Sequence, residues 1–163
     1  MSANVESTMT NRDLEIERKY LLRTCPPEAS AAPVADIDQG YLPGERILER
    51  VRRISAAAGA RYYRTIKLGA GVQRFEFEEE TTEQFFTTVW PLTRGHRVQK
   101  RRYTIRDSEV EWVVDEFVDR PLVLAEIELE SADADVRLPA WLAAVLVREV
   151  TNEPDFTNYR LSR

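Results

Sequence analysis

The strongest constraint on this chain is an alternation of charged with apolar side chains, at a period of two, along most of its length. From Leu14 to Arg23 the order LEIERKYLLR sets Leu14 and Ile16 on one side of an extended strand. Glu15, Glu17 and Lys19 fall on the other. The pattern returns at Asp36 to Leu42, Arg46 to Ile54, Arg61 to Leu68, Val72 to Glu80, Arg97 to Arg106, Glu109 to Val118 and Leu122 to Glu130. Turn signals separate these runs at Pro43-Gly44, Gly59, Gly69-Ala70-Gly71, Asp107-Ser108 and Asp119-Arg120. A chain written this way folds as an antiparallel sheet with one greasy face and one ionic face.

Helices are minor. Thr81 with Gln84 three residues on has capping-box spacing, and Phe85, Phe86 and Val89 give the short helix an apolar side before Pro91. A second helix opens at Pro139 and runs to about Val147, with Trp141, Leu142, Val145 and Leu146 inward. The prolines between Thr24 and Val34 restrict that stretch to a connection, and the segment from Thr151 reads as irregular. Residues 1–12 are expected to be a flexible N-terminal tail and 13–163 a single domain, since no linker-like stretch divides the chain.

The ionic face has an unusual composition. Same-face charges are Glu15, Glu17 and Lys19; Arg50 and Arg52; Lys67; Arg74, Glu76 and Glu78; Lys100 and Arg102; Asp115; and Glu126 and Glu128. Residues two apart on a strand lie about 6.5 Å from one another. Any one stripe reads as the wet side of an antiparallel sheet. The repetition of like-charge pairs points further, because Glu-x-Glu and basic-x-basic spacings cost stability that mixed surface charge avoids. A ligand that meets both signs offsets that cost. Converging basic groups neutralise phosphate oxygens, while paired carboxylates suit Mg²⁺ or Mn²⁺, which prefer hard oxygen donors. Together they describe a polyphosphate-plus-metal centre.

Several classes are disfavoured. Cys25 and His96 are the only residues of their types, which excludes an internal disulfide and a Cys/His zinc cluster. The formal net charge of −5 argues against nucleic-acid or anionic-membrane binding. With no long apolar run and no signal-peptide core, the expectation is a soluble cytoplasmic protein.

Glu15-Ile16-Glu17-Arg18-Lys19 resembles the ExExK signature of the CYTH domain, or triphosphate tunnel metalloenzyme, family. Further matches follow in order: Gln39-Gly40-Tyr41-Leu42, Arg50-x-Arg52, Thr65-x-Lys67, Arg74-x-Glu76-x-Glu78, Val98-x-Lys100-x-Arg102-Tyr103, Trp112-x-x-Asp115-x-Phe117, Ala125-Glu126-x-Glu128, and Glu149-Val150-Thr151 with Asn158. The resemblance implies an α+β fold, an eight-stranded antiparallel β-barrel enclosing a tunnel with helices packed outside. It makes Lys19, Arg50, Arg52, Lys67, Arg74, Lys100 and Arg102 ligands of a triphosphate. It makes Glu15, Glu17, Asp115, Glu126 and Glu128 candidates for a divalent metal, Mg²⁺ or Mn²⁺, with Glu76 and Glu78 next in line. It also pairs Tyr41 with Lys19 as catalytic candidates, against the competing reading of Tyr41 as a packed turn aromatic. Phe156 stands where bacterial relatives often carry tyrosine, and Asp155 where a basic residue is common.

Inorganic triphosphatases, thiamine-triphosphatases, class IV adenylate cyclases and RNA triphosphatases share these motifs. Hydrolysis of inorganic tripolyphosphate is the favoured expectation. The chain is nearly the bare barrel, and its ERKYL and QGYLP segments resemble short bacterial tripolyphosphatases. A non-catalytic polyphosphate or nucleotide sensor is the alternative of another class. The expected partner is a small-molecule triphosphate, with a homodimer as an open arrangement. His96, Cys25, Trp90, Trp141, Phe85 and Phe86 are read as structural, and Trp112 as either packing or stacking platform.

Overall fold

A computed structural model describes residues 16–45, 47–68, 75–131 and 133–163. The expected N-terminal tail therefore lies outside the described residues, as do Glu15 and Arg74. Among the described residues nine strands form one antiparallel sheet: β1 (Ile16–Leu22), β2 (Val34–Leu42), β3 (Leu48–Ala56), β4 (Gly59–Leu68), β5 (Phe75–Thr81), β6 (Arg97–Asp107), β7 (Val110–Phe117), β8 (Val123–Leu129) and β9 (Leu146–Glu149). Their order is β5-β4-β3-β2-β6-β7-β8-β1-β9. Three short helices accompany them, α1 (Glu83–Val89), α2 (Ala140–Val145) and α3 (Asn158–Leu161). No helix among the described residues is long and apolar enough to cross a membrane.

Two features correct the eight-stranded barrel expected from the sequence. The ninth strand begins at Leu146 and Val147, read as the end of a helix, and continues to Glu149. Leu146 leaves the helical region at φ −63°, ψ 136°, and residues 146–149 pair along the outer side of β1. That pairing gives hydrogen-bond partners to an edge that β1 would otherwise leave open. Secondly, no strand pairing among the described residues closes the ladder. Among the described residues β5 and β9 are its two edges. The sheet nonetheless curls, because side chains from each of β1 to β8 line a single cavity.

Outside the curl lies the main core. Tyr20, Leu22, Ile105, Trp112, Val114, Ala125 and Ile127 meet Leu142 and Val145 of α2. Trp112 tilts on Tyr20 at 5.8 Å and stands edge-on to Trp141 at 6.1 Å, so it packs the core. Each such fully buried side chain contributes about 1.5–3 kcal/mol. Farther along, Phe86 of α1 stacks on Trp90 at 4.9 Å and tilts on Tyr62 at 5.4 Å. The α1 cap is the Thr82 hydroxyl, which accepts from Phe85 N, one residue after the expected Thr81. Thr81 is held in the β4–β5 ladder opposite Tyr62.

The turn after α1 lies flat against β2. A β-carbon at Gly40 would stand 2.6 Å from Cβ of Thr93. Arg97 fastens the turn by donating to Thr93 Oγ1 and Trp90 O while stacking on the Trp90 ring. The greasy face is not buried everywhere: Phe77, on edge strand β5, is 48% exposed.

A second apolar cluster fills one end of the inner face. Val98, Phe117, Leu124 and Val150 are buried there, with Phe156 and Leu161 of the C-terminal segment against them.

Candidate functional site

The cavity has a volume of about 470 Å³, and among the described residues six cationic side chains line it: Lys19, Arg50, Arg52, Lys67, Lys100 and Arg102. Strand parity puts them there. Arg50 and Arg52 are two apart on β3, Lys100 and Arg102 two apart on β6, and antiparallel register faces Arg102 with Asp115 on β7 and Lys19 with Glu126 on β8. The charges sort into two groups.

The first lies where β6, β7, β8 and β1 meet. Lys100 Nζ donates to Asp115 Oδ2 at 2.5 Å and to Asn158 Oδ1 at 3.3 Å. Arg102 donates side-on to the same carboxylate, Nε to Oδ1 and Nη2 to Oδ2, both at 2.7 Å. Lys19 Nζ sits 3.0 Å from Glu126 and 3.3 Å from Glu17, and 3.5 Å from the carbonyl of Phe156. Burial pulls the Lys100 ammonium down to about 8, against the attraction of Asp115. Burial alone would raise Asp115 and lower Lys19 and Arg102. In each the opposite charges prevail, so Asp115 is held well below the usual carboxylate range while Lys19 and Arg102 are raised.

The second group spans β3, β4 and β5. Arg50 Nη2 donates to Thr65 Oγ1 at 2.8 Å, Glu76 at 3.1 Å and Glu78 at 2.8 Å. The Thr65 hydroxyl donates in turn to Glu78 at 2.7 Å, and Lys67 Nζ holds Glu76 at 2.6 Å. Arg52 differs from its neighbour. Its Nη2 lies 3.5 Å from Glu78, and its buried Nε has no partner among the described residues. Burial, then the adjacent Arg50 guanidinium, lower the Arg52 pKa to about 10. An orphaned buried donor costs about 1–3 kcal/mol, so this N–H favours an anion beside it.

The expected pairing of Tyr41 with Lys19 is not found. Tyr41 OH accepts from Gln39 Nε2 at 3.0 Å, and its ring stands edge-on to Tyr159 at 5.2 Å. Burial raises its pKa. Of the expected metal candidates, Asp115, Glu76 and Glu78 have their carboxylates engaged by the cations just described, Glu126 meets Lys19 and, at 3.5 Å, Arg102, and Glu17 meets Lys19 alone among the described residues.

A donor set of a different kind remains on β1 and β8. Glu17 and Glu128 are direct ladder partners, both exposed, and Glu128 has no cationic partner among the described residues. Glu126 is two residues from Glu128 on the same face. Among the described residues no three carboxylate, imidazole or thiol groups lie close enough to hold an ion by themselves. Opposed carboxylates of this kind fit a Mg²⁺-like ion, which takes one or two protein carboxylates and completes its shell with phosphate and water oxygens.

Several lining or supporting side chains escaped the charge-based reading, Glu109 among them. Gln39 and Thr65 are buried neutral groups, identifiable by parity with Tyr41 and Lys67. Glu111 shares the parity of Asp115 and lines the cavity. Asn158 lines it from α3, in a segment with no strand periodicity to reveal it.

No protein-family profile matches the chain. It is 35% identical over 157 residues to an inorganic triphosphatase of Nitrosomonas europaea, covering 91% of this chain and 96% of the relative. An inorganic triphosphatase of Acetivibrio thermocellus is 30% identical over 151 residues, covering 90% and 92%. A crystal structure described as an inorganic triphosphatase superposes with a TM-score of 0.66 at 31% identity, over 91% of this chain and 93% of that one. A Pyrococcus horikoshii protein, at 17% identity, 71% and 77% coverage and a TM-score of 0.50, is alike in fold alone.

Proposed function

The chain belongs to the CYTH, or triphosphate tunnel metalloenzyme, family, and on that premise we propose that it hydrolyses inorganic tripolyphosphate to pyrophosphate and phosphate with a divalent metal, Mg²⁺ or Mn²⁺. The observation that carries this reading is the juxtaposition, in one cavity, of six cationic side chains with the opposed carboxylates of Glu17 and Glu128. In this proposal β1 to β8 form the wall of a tunnel and β9 lies outside it.

Lys19, Arg50, Arg52, Lys67, Lys100 and Arg102 are proposed to bind the triphosphate, and Arg74, outside the described residues, is proposed to join them. Arg52 Nε supplies a donor already stripped of water, and Lys100 and Arg102 present charge from a fixed mount. Each charge-assisted hydrogen bond of this kind contributes about 1.5–3 kcal/mol. Glu17, Glu126 and Glu128 are proposed to hold the metal, with Glu15 beside them in sequence. The bound ion would neutralise charge developing on the transferred phosphoryl group and on its attacking water. Lys19 ties the two halves of the site together, touching Glu17 and Glu126 while facing the cavity. Because Tyr41 meets Gln39, its proposed part is to orient that amide at the cavity wall. A cytoplasmic enzyme acting on a small molecule, alone or as a homodimer, completes the proposal.

The test is direct. The protein is incubated with tripolyphosphate, ATP or thiamine triphosphate under Mg²⁺ and Mn²⁺, and phosphate, cyclic AMP and thiamine diphosphate are measured. Metal-dependent phosphate release fastest from tripolyphosphate supports the reading. Cyclic AMP from ATP with no phosphate from tripolyphosphate defeats it, and tight binding without turnover points to a sensor.

A further inference from the structure

We infer that Asp115 is a positioning residue for substrate binding, the mount that aims Arg102 and Lys100 into the cavity, and not a ligand of the metal. This rests on the tripolyphosphate reading of the cavity and assigns to one of its carboxylates a different duty from the others.

The geometry is restrictive. The Asp115 side chain is 1% exposed. Its Oδ1 accepts from Arg102 Nε, and its Oδ2 accepts from both Arg102 Nη2 and Lys100 Nζ. A hard cation needs an accessible oxygen lone pair and room for water or phosphate ligands. Neither is offered here. Two cations already lie within hydrogen-bonding distance, so a further positive charge would have to displace one of them into an apolar surround that includes Phe117. Glu17 and Glu128, by contrast, face each other across β1 and β8 and are exposed.

The same bonds give Asp115 a purpose. A side-on carboxylate fixes the plane of the guanidinium and occupies its Nε edge. Arg102, opposite Asp115 in the β6–β7 register and 25% exposed, then turns its remaining donors to Glu126 and the cavity. Lys100 has three donors. Asp115 and Asn158 take two, which leaves one for a ligand oxygen. One carboxylate thus orders two long side chains whose rotamers would otherwise be ordered only when the ligand arrives. The depressed pKa of Asp115, in which Lys100 and Arg102 outweigh the effect of burial, keeps it ionised, so it is a poor proton acceptor and unsuited to act as a general base.

The experiment compares wild type, Asp115→Asn, Arg102→Lys and the double variant in two measurements. One is calorimetric binding of tripolyphosphate with all divalent metal chelated. The other is the Mg²⁺ concentration giving half-maximal phosphate release. Asp115→Asn is expected to weaken metal-free binding by about tenfold or more, with half-activation by Mg²⁺ changed by less than about twofold. The double variant is expected to bind no more weakly than the weaker single one, because both substitutions break the same fork. Unchanged metal-free binding with a raised Mg²⁺ requirement would overturn the role, as would fully additive losses. If Asp115→Asn fails to fold by thermal melting, Arg102→Lys carries the test, since lysine keeps the charge but cannot make the side-on pair. Wild type that binds no tripolyphosphate would overturn the proposed function and this role with it, whereas wild-type binding unaffected by loss of the fork overturns the role alone.

Discussion

Raising the pH through the titration of Lys100 should strengthen the fold while weakening the site. The ammonium is pulled to about 8 by burial, from an ordinary value of 10.5. Below pH 8 both folded and unfolded chains carry this proton. Between about 8 and 10.5 the unfolded chain keeps it and the folded chain has released it, so the contribution of this group to stability increases with pH. Each pH unit between those two values is worth roughly 1.4 kcal/mol, so the full gain is about 3 kcal/mol, of which about 2 kcal/mol falls between pH 7.5 and 9.5. Binding runs the other way, because a neutral amine offers a phosphate oxygen no charge. The protonated fraction falls from about 90% at pH 7 to about 10% at pH 9, so affinity should fall by up to about tenfold per unit above pH 8. The assay is metal-free calorimetry with tripolyphosphate at pH 7, 8 and 9, set beside urea unfolding at pH 7.5 and 9.5. Lys100→Met serves as the reference, since it shares every other titration, including that of the ligand. If wild type and Lys100→Met show the same pH slope in both assays, Lys100 is not the group responsible and the prediction fails.

Gly40→Ala should destabilise by about 1–3 kcal/mol, because the added carbon meets Thr93 at 2.6 Å. In a chain of this size that is a melting-temperature drop of roughly 2–12 °C, readable by scanning calorimetry, and an unchanged melt would show that the turn is not seated there. Trp112→Ala, at the centre of the outer core, should cost about 3–5 kcal/mol in denaturant unfolding. Glu17→Gln should abolish most metal-dependent phosphate release yet leave metal-free tripolyphosphate binding largely intact. Turnover equal to wild type would remove Glu17 from the proposed metal set.

Period-two patterning made much of this molecule legible because a strand has no choice about parity. Once Lys100 and Arg102 are two apart on β6, both must share a face, and the register opposite β7 brings Asp115 to them. What parity does not encode is which face is closed over and which pairs neutralise each other. Phe77 alternates like a core residue but lies on an edge strand and is exposed. Glu76 and Glu78 read as metal donors, and only the fold brings Arg50 and Lys67 against them. Leu146 and Val147 read as the end of the second helix, and only the unpaired side of β1, a tertiary feature, converts them to strand. Asn158 reaches Lys100 across 58 positions of chain, from a segment whose local pattern carries no period at all.

Strand β5 has a hydrogen-bonding partner on one side only, β4, among the described residues. Such a margin is adhesive toward a second copy of itself. Here it carries Glu76, Glu78, Glu79 and Glu80, each paired with a cation of β3 or β4, so a second margin docking on it would have to rearrange those ion pairs before any backbone bond could form. The residues that set up one wall of the cavity thereby also act as a guard against fibril-like stacking. Because that guard works through Coulomb forces at an exposed rim, it weakens in concentrated salt.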